Sequence, residues 1–396
     1  MKKYLFFALL LWTFVGQAAI KLPPFIGDNM VLQRDRPSTI WGNAASGEKI
    51  TVSFINKTFS TIADNKGKWR LQLPPSKAGG PFTMTIKGRN SSVVLKDILV
   101  GDVWICAGGA SMLLQTKEDS TSREEPAGAN YSNIRLFGTR TGKKWIYCDS
   151  QSAGSFSGTA FFFARNLHLK LNIPIGMIQS ETLDIAEIAE LYNVSVKGII
   201  WNDNPLNDFT PKPEILLPQR IQDYRANFKQ IDLPFLFVEA TDPSARELQK
   251  SVLAFKNTDR INAIDLAPNN TREIGRRLAA LAKRRVYNLP TFAHGPQFDS
   301  FELRGKSVRI HFSNTGTGLK TNDKKNPTNF TIAGSDGHFH PAIAEIIDEN
   351  TIEVFSPAVT TPAAVRYAWE KHPHGLNLVN SLNLPAYPFK TDNWKN

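Results

Sequence analysis

Cysteine is the scarcest informative residue in this 396-residue chain, with only Cys106 and Cys148 present. Two cysteines cannot build a disulfide-dense scaffold, and no Cys-x-x-Cys or Cys/His spacing that would hold a structural metal occurs. No metal and no cofactor are therefore expected. A single disulfide stays open for an exported chain, but Cys106 sits in the apolar run Val103-Trp104-Ile105-Cys106, which favours two buried free thiols. Charge clusters are also nearly absent. The 47 Lys and Arg against 36 Asp and Glu leave a net +11, enough to favour acidic glycans or a membrane surface, yet they are spread along the chain. Only Lys283-Arg284-Arg285 forms a run, and it closes an amphipathic stretch. That is the place where a helix C-terminus accepts solvated cations, so nucleic acid is not an expected partner. There is no internal repeat, no low-complexity segment and no long apolar run after the first fifteen residues, so no membrane span is expected in the mature chain.

What is present begins with a leader pattern. Lys2-Lys3, an apolar run over 4–15 and the small residues Gly16, Ala18 and Ala19 predict a cleaved signal peptide over 1–19. The product would be exported, to a periplasm or the extracellular space. The rest is 41% hydrophobic and 21% charged, ordinary for a packed globular chain of this length, and two or three domains are expected.

Over 20–98 the pattern is β. Ile50, Val52 and Phe54 alternate, as do Trp69, Leu71 and Leu73, then Phe82, Met84 and Ile86; Asn65-Lys66-Gly67 and Lys77-Ala78-Gly79-Gly80-Pro81 read as turns. A small antiparallel sandwich follows from this. Over 99–290 short apolar strands alternate with helical segments. Strands are expected at 103–106, 134–137, 175–178, 198–201, 234–238 and 262–265, with helices over 157–171, 217–228, 244–255 and 270–284. Such alternation predicts an α/β unit with a doubly wound parallel sheet. Asn270-Thr271-Arg272-Glu273 looks like a capping box for the last helix. Over 291–396 the helices stop, and 307–312, 329–333, 351–355 and 364–369 read as strands of a C-terminal antiparallel β domain.

Several stretches resemble the sialate O-acetylesterase family of exported carbohydrate esterases. They are Asp28-Asn29-Met30-Val31-Leu32-Gln33-Arg34 with Trp41-Gly42, Gly101-Asp102-Val103-Trp104-Ile105-Cys106, Leu171-Asn172-Ile173-Pro174-Ile175-Gly176 and Gly275-Arg276-Arg277-Leu278-Ala279. The tail adds Val365-Arg366-Tyr367-Ala368-Trp369, Asn377-Leu378, Leu384-Pro385 and Pro388-Phe389-Lys390-Thr391-Asp392. These run in family order over nearly the whole mature chain. The resemblance implies an SGNH-hydrolase-like α/β domain flanked by β domains, in which a serine just after the first strand attacks an acetyl ester. A histidine in an Asp-x-His-Pro segment would be its base, and a glycine with polar side chains would hold the oxyanion.

The same comparison removes the chemistry. Where the family has Cys-Ser-Gly-Gln-Ser-Asn-Met, this chain has Cys106-Ala107-Gly108-Gly109-Ala110-Ser111-Met112, which puts Ala110 at the nucleophile. A methyl group has no lone pair and forms no acyl-enzyme. Ser111 reaches that position only if the register shifts by one; otherwise it is an ordinary turn or cap serine. In place of Asp-Ile-His-Pro before the last helix stands Ile264-Asp265-Leu266-Ala267-Pro268, read here as lacking counterparts of both the Asp and the His. His168 is the only histidine between Cys106 and Pro290, and its helical position suits a structural role. The family's Trp-Tyr-Gln-Gly-Glu-Ser-Asn becomes Trp201-Asn202-Asp203-Asn204-Pro205-Leu206-Asn207, and Ser-Ser-Trp-Gly-Gly-Thr becomes a segment beginning Ser180-Glu181-Thr182-Leu183-Asp184.

Three readings stand. A catalytically impaired protein would keep the esterase scaffold and bind an O-acetylated glycan, or a partner protein, in a cleft lined by Trp201, Asp203, Asn204 and Asn207, which otherwise simply build a polar loop. A working O-acetylesterase would use a displaced Ser111 with Asp203 or Asp184 as an unconventional base. A structural protein would have the cleft filled by side chains.

Overall fold

The structure is a computed structural model that describes residues 19–119, 121–122, 124–180, 193–204, 217–267, 269–371 and 373–394. Its organising element is one long strand, Ser92–Gly108. The first half of this strand pairs with Gly79–Lys87, which pairs with Lys49–Phe54 and through it Lys57–Ile62. A second, two-stranded layer, Ser38–Asn43 with Lys68–Leu73, completes the N-terminal β region. The alternation seen in the sequence is realised side chain by side chain: Ile50, Val52, Phe54, Trp69, Leu71, Leu73, Met84 and Ile86 are all buried. Gly79-Gly80-Pro81, expected as a turn, instead opens the Gly79–Lys87 strand, with Gly79 opposite Val100.

The second half of the central strand is the middle of the α/β sheet. Across that sheet the order is Thr258–Ile261, Phe235–Val238, Gly198–Asn202, Ser92–Gly108, Ile175–Gln179, Asn130–Phe137 and Ile146–Asp149. Every neighbouring pair is parallel except the last. Helices Gly158–Leu171 and Thr271–Arg285 cover one face with Phe161, Phe163, Leu167, Ile274 and Leu278. On the other face helix Leu217–Asn227 contributes Leu217, Ile221 and Tyr224 to a core continuous with the N-terminal β region. Val103, Ile105 and Ala107 face that core while Trp104 and Cys106 face the first, the period-two signature of a strand buried on both sides. The expected boundary between 98 and 99 thus falls inside a continuous strand. The change of rhythm at Gly101 marks a change of pairing partners.

One strand is displaced from its expected place. Residues 262–265 form a turn in which the Asn262 side chain accepts from the Ile264 amide at 3.0 Å, and the sheet edge is instead Thr258–Ile261. Its two central residues are polar and ion-paired, Asp259 with Arg285 and Arg260 with Glu239, so no hydrophobic pattern announces it.

After residue 290 two four-stranded antiparallel sheets enclose a third core of Val308, Ile310, Phe312, Ile332, Val354, Val365, Tyr367 and Phe389. His294 ties this region to the α/β sheet. One ring nitrogen lies 3.3 Å from Asp259 and the other 3.1 Å from the Tyr387 hydroxyl. Cys106 and Cys148 are both buried free thiols, and burial raises both, Cys148 to about 12. Among the described residues no helix is long and apolar enough to cross a membrane.

Candidate functional site

In an open parallel sheet the binding crevice lies at the C-terminal strand ends, where the order of strands reverses. Here the reversal is beside the central strand. The next strands of the chain, Asn130–Phe137, Ile146–Asp149 and Ile175–Gln179, lie to one side of it, and Gly198–Asn202 and its successors lie to the other. Two strand ends therefore form the crevice, Gly108-Gly109-Ala110 and Asn202-Asp203-Asn204.

The two ends sit unusually close. Asn202 is in register with Gly108, and the Gly109 amide donates to the Asn202 carbonyl at 3.1 Å. Gly108 has φ +139°, and a Cβ there would lie 2.2 Å from the Asn202 oxygen; a Cβ on Gly109 would lie 2.4 Å from Asp203 Oδ1. The Asp203 carboxylate therefore occupies the space into which a side chain at 109, glutamine in the esterase motif, would start. The turn feeds the short helix Ala110–Leu113.

Within that turn the two candidates for the nucleophile position have opposite environments. Ala110 is exposed. Ser111 is 1% exposed, and its hydroxyl donates to the Asn204 backbone carbonyl, closing the crevice from below. The neighbouring Met112 is fully buried beneath it, with its sulfur 3.7 Å from the Ser157 hydroxyl.

The other proposed lining residues divide. Trp201 is a core residue: it is 2% exposed and packs its ring against Tyr224 and Phe235, so the expectation that it lines the cleft is corrected. The reason is strand parity, since Trp201 shares a face with Ile199 and points into the core of helix Leu217–Asn227. Asn204 is a brace. Its amide donates to the Glu239 carbonyl at 2.9 Å and its oxygen accepts from the Thr241 amide at 3.2 Å, fastening one strand end to the next. Asp203 lies at the turn as described. Asn207, like Asp184, lies outside the described residues.

Two polar groups not singled out in the sequence flank the central strand end. Asn202 is 1% and Gln179 4% exposed, and neither side-chain NH2 group has an acceptor among the described residues. Gln179 is oriented by its oxygen, which accepts from the Ser157 amide at 3.3 Å. Buried amide donors left unpaired cost stability unless a ligand or water completes them.

The segment before the last helix also reads differently once the helix start is fixed. Helix Thr271–Arg285 is capped by Asn270, whose side chain accepts from the Glu273 amide at 3.1 Å. Counting back, Asp265-Leu266-Ala267-Pro268 matches Asp-x-His-Pro at the Asp and the Pro, with Ala267 at the histidine. Asp265 is held by Arg277 through two parallel contacts of 2.7 Å, and Arg277 also reaches Glu273 at 2.9 Å and the Asn262 carbonyl at 2.8 Å. The fully buried Asp119 caps the same helix. It accepts from the Thr271 amide at 3.0 Å and hydroxyl at 2.7 Å, from Ser122 at 2.7 Å and from Thr121 at 2.6 Å. Burial pushes the Asp119 carboxyl up, but these hydroxyl and amide donors outweigh it and leave it below the usual range.

No family model matches the chain. Among proteins of known function it is 24% identical to the sialate O-acetylesterase of Homo sapiens, the match covering 52% of this chain and 52% of that protein. It is 28% identical to the sialate O-acetylesterase of Mus musculus over 39% of this chain and 34% of that protein. The chain spans about half the length of the first of these curated relatives. Among solved structures, a carbohydrate acetylesterase from Xanthomonas citri superposes with a TM-score of 0.86 at 29% identity, covering 95% of this chain and all of that one. A largely parallel α/β sheet, the esterase motifs in order and these likenesses all support a resemblance to the sialate O-acetylesterase family.

Proposed function

We propose that this chain binds an O-acetylated sugar in the crevice between Gly109 and Asn204 without hydrolysing its ester. The carrying observation is the pair Ala110 and Ser111. The exposed position of the strand-to-helix turn, where a nucleophile has to stand, is a methyl group, while the nearby hydroxyl is buried and already donates to the Asn204 carbonyl. Ala267 at the histidine position supports the same reading, because ester attack needs a base that accepts the nucleophile's proton. Retained binding is supported by the buried side-chain amides of Asn202 and Gln179, which have no acceptor among the described residues and suit an acetyl carbonyl or a sugar hydroxyl. Export, inferred from the leader pattern over 1–19, would bring the chain to glycans outside the cytoplasm.

The alternative is hydrolysis by a displaced Ser111 with Asp203 or Asp184 as base. Acetate release from a chromogenic acetyl ester and from O-acetylated sialic acid decides between them, with Ser111→Ala measured alongside. The expected result is background rates in both proteins. Activity that disappears in Ser111→Ala would establish the displaced nucleophile and overturn the proposal.

A further inference from the structure

Away from the crevice, the N-terminal β region carries a cavity of about 610 Å³, inside the range of roughly 300–1,000 Å³ typical of small-molecule sites. Its floor is the two-stranded layer Ser38–Asn43 with Lys68–Leu73. Trp41 stands opposite Arg70 and Asn43 opposite Lys68, so these four side chains share one face of the layer. Lys21 forms the rim, fixed by reciprocal backbone bonds with Asn43 of 2.9 and 2.8 Å.

Two features of this cavity point to a ligand. Trp41 is half-buried and lines the cavity, giving it indole surface of the kind on which sugar rings stack. Secondly, the charge is unbalanced. Lys21, Lys68 and Arg70 have no carboxylate partner among the described residues, whereas the one acid of the wall, Asp64, is turned into its own loop, accepting from the Lys66 and Lys68 amides at 2.8 and 2.9 Å. Arg70 is already positioned, one arm of its guanidinium donating to Asn193 at 3.1 Å, which leaves its other N–H groups for an acceptor.

We propose that this cavity is a second sugar site, selective for a monosaccharide unit bearing a carboxylate, with the Trp41 indole as stacking surface and Arg70 as the group that receives the carboxylate. The chemistry is independent of the crevice. The test is titration of the mature chain with N-acetylneuraminic acid and galacturonic acid, and with galactose as the neutral comparison, followed by calorimetry and intrinsic tryptophan fluorescence. Saturable binding of an acidic sugar is expected, weaker for galactose, with Arg70→Ala losing about tenfold in affinity and Trp41→Ala losing the fluorescence change. Arg70→Lys, which keeps the charge but not the fork, is expected to fall between the two. Asn202→Ala in the crevice should leave this binding unchanged. Equal affinity for neutral and acidic sugars, no saturable binding, or loss of binding in Asn202→Ala with retention in Arg70→Ala would each overturn the proposal.

Discussion

The crevice at the end of the central strand and the cavity in the N-terminal β region are both polar, but their polar groups are engaged differently. Around the crevice most of them face inward: Ser111 to Asn204, Asn204 to Glu239 and Thr241, Asp265 to Arg277, Asp119 to the start of the last helix. Such bonds join one strand end or helix to the next, and each partner is satisfied by the fold itself. In the cavity, Lys21 and Lys68 carry their charge on an exposed face and have no carboxylate partner among the described residues. A polar residue holds a structure when its partner is protein, and is available to a ligand when that partner is missing. By that measure the polar groups around the crevice serve the architecture, apart from the side-chain amides of Asn202 and Gln179, which have no acceptor among the described residues, and the N-terminal region has the more accessible chemistry.

If this contrast is right, substitutions near the crevice must cost stability and leave acidic-sugar binding in the cavity alone. The largest effect is expected for Arg277→Ala, which strands Asp265 without the cation that holds it and leaves Glu273 with Arg276 alone; it should cost about 3 kcal/mol in denaturant unfolding. An unchanged midpoint would break the comparison. Asp119→Ala should come next, at about 2 kcal/mol, from loss of the cap and of a buried hydrogen-bond hub. This group also gives a pH signature. Its folded pKa lies below the unfolded value, so its contribution is complete above about pH 5 and is lost as pH falls through about 4 and below. Asp119→Asn should flatten that acid limb of the stability curve. Smallest of all, a thiol reagent should leave Cys106 and Cys148 unlabelled in the folded protein, because both are buried and burial disfavours their thiolates. Labelling of Cys106, which lies two residues before Gly108 on the central strand, would mean that the crevice floor opens.

Much of this was legible in the residues. Alternation located the N-terminal strands because each buries one face, and the apolar runs at 103–106, 175–178 and 198–201 fell on strands buried on both. Strands without that signal were missed. Thr258–Ile261 hides its polar residues in ion pairs, and Gln297–Arg304 is exposed along most of its length, so neither shows an apolar rhythm. At the site, the place of Trp201 at a strand end suggests a lining residue, but its parity with Ile199 sends it inward, and that burial depends on the helix packed beneath it.

The central strand has a consequence for cooperativity. Its 17 residues bend where Asp97 takes a positive φ and the register with Gly79–Lys87 shifts, yet ladders of neighbours hold it on both sides of that bend. Cutting the chain between 98 and 99 would sever a shared strand instead of freeing two bodies. The N-terminal β region and the α/β sheet should therefore melt in one transition, with amide hydrogens on the two halves of the strand exchanging together.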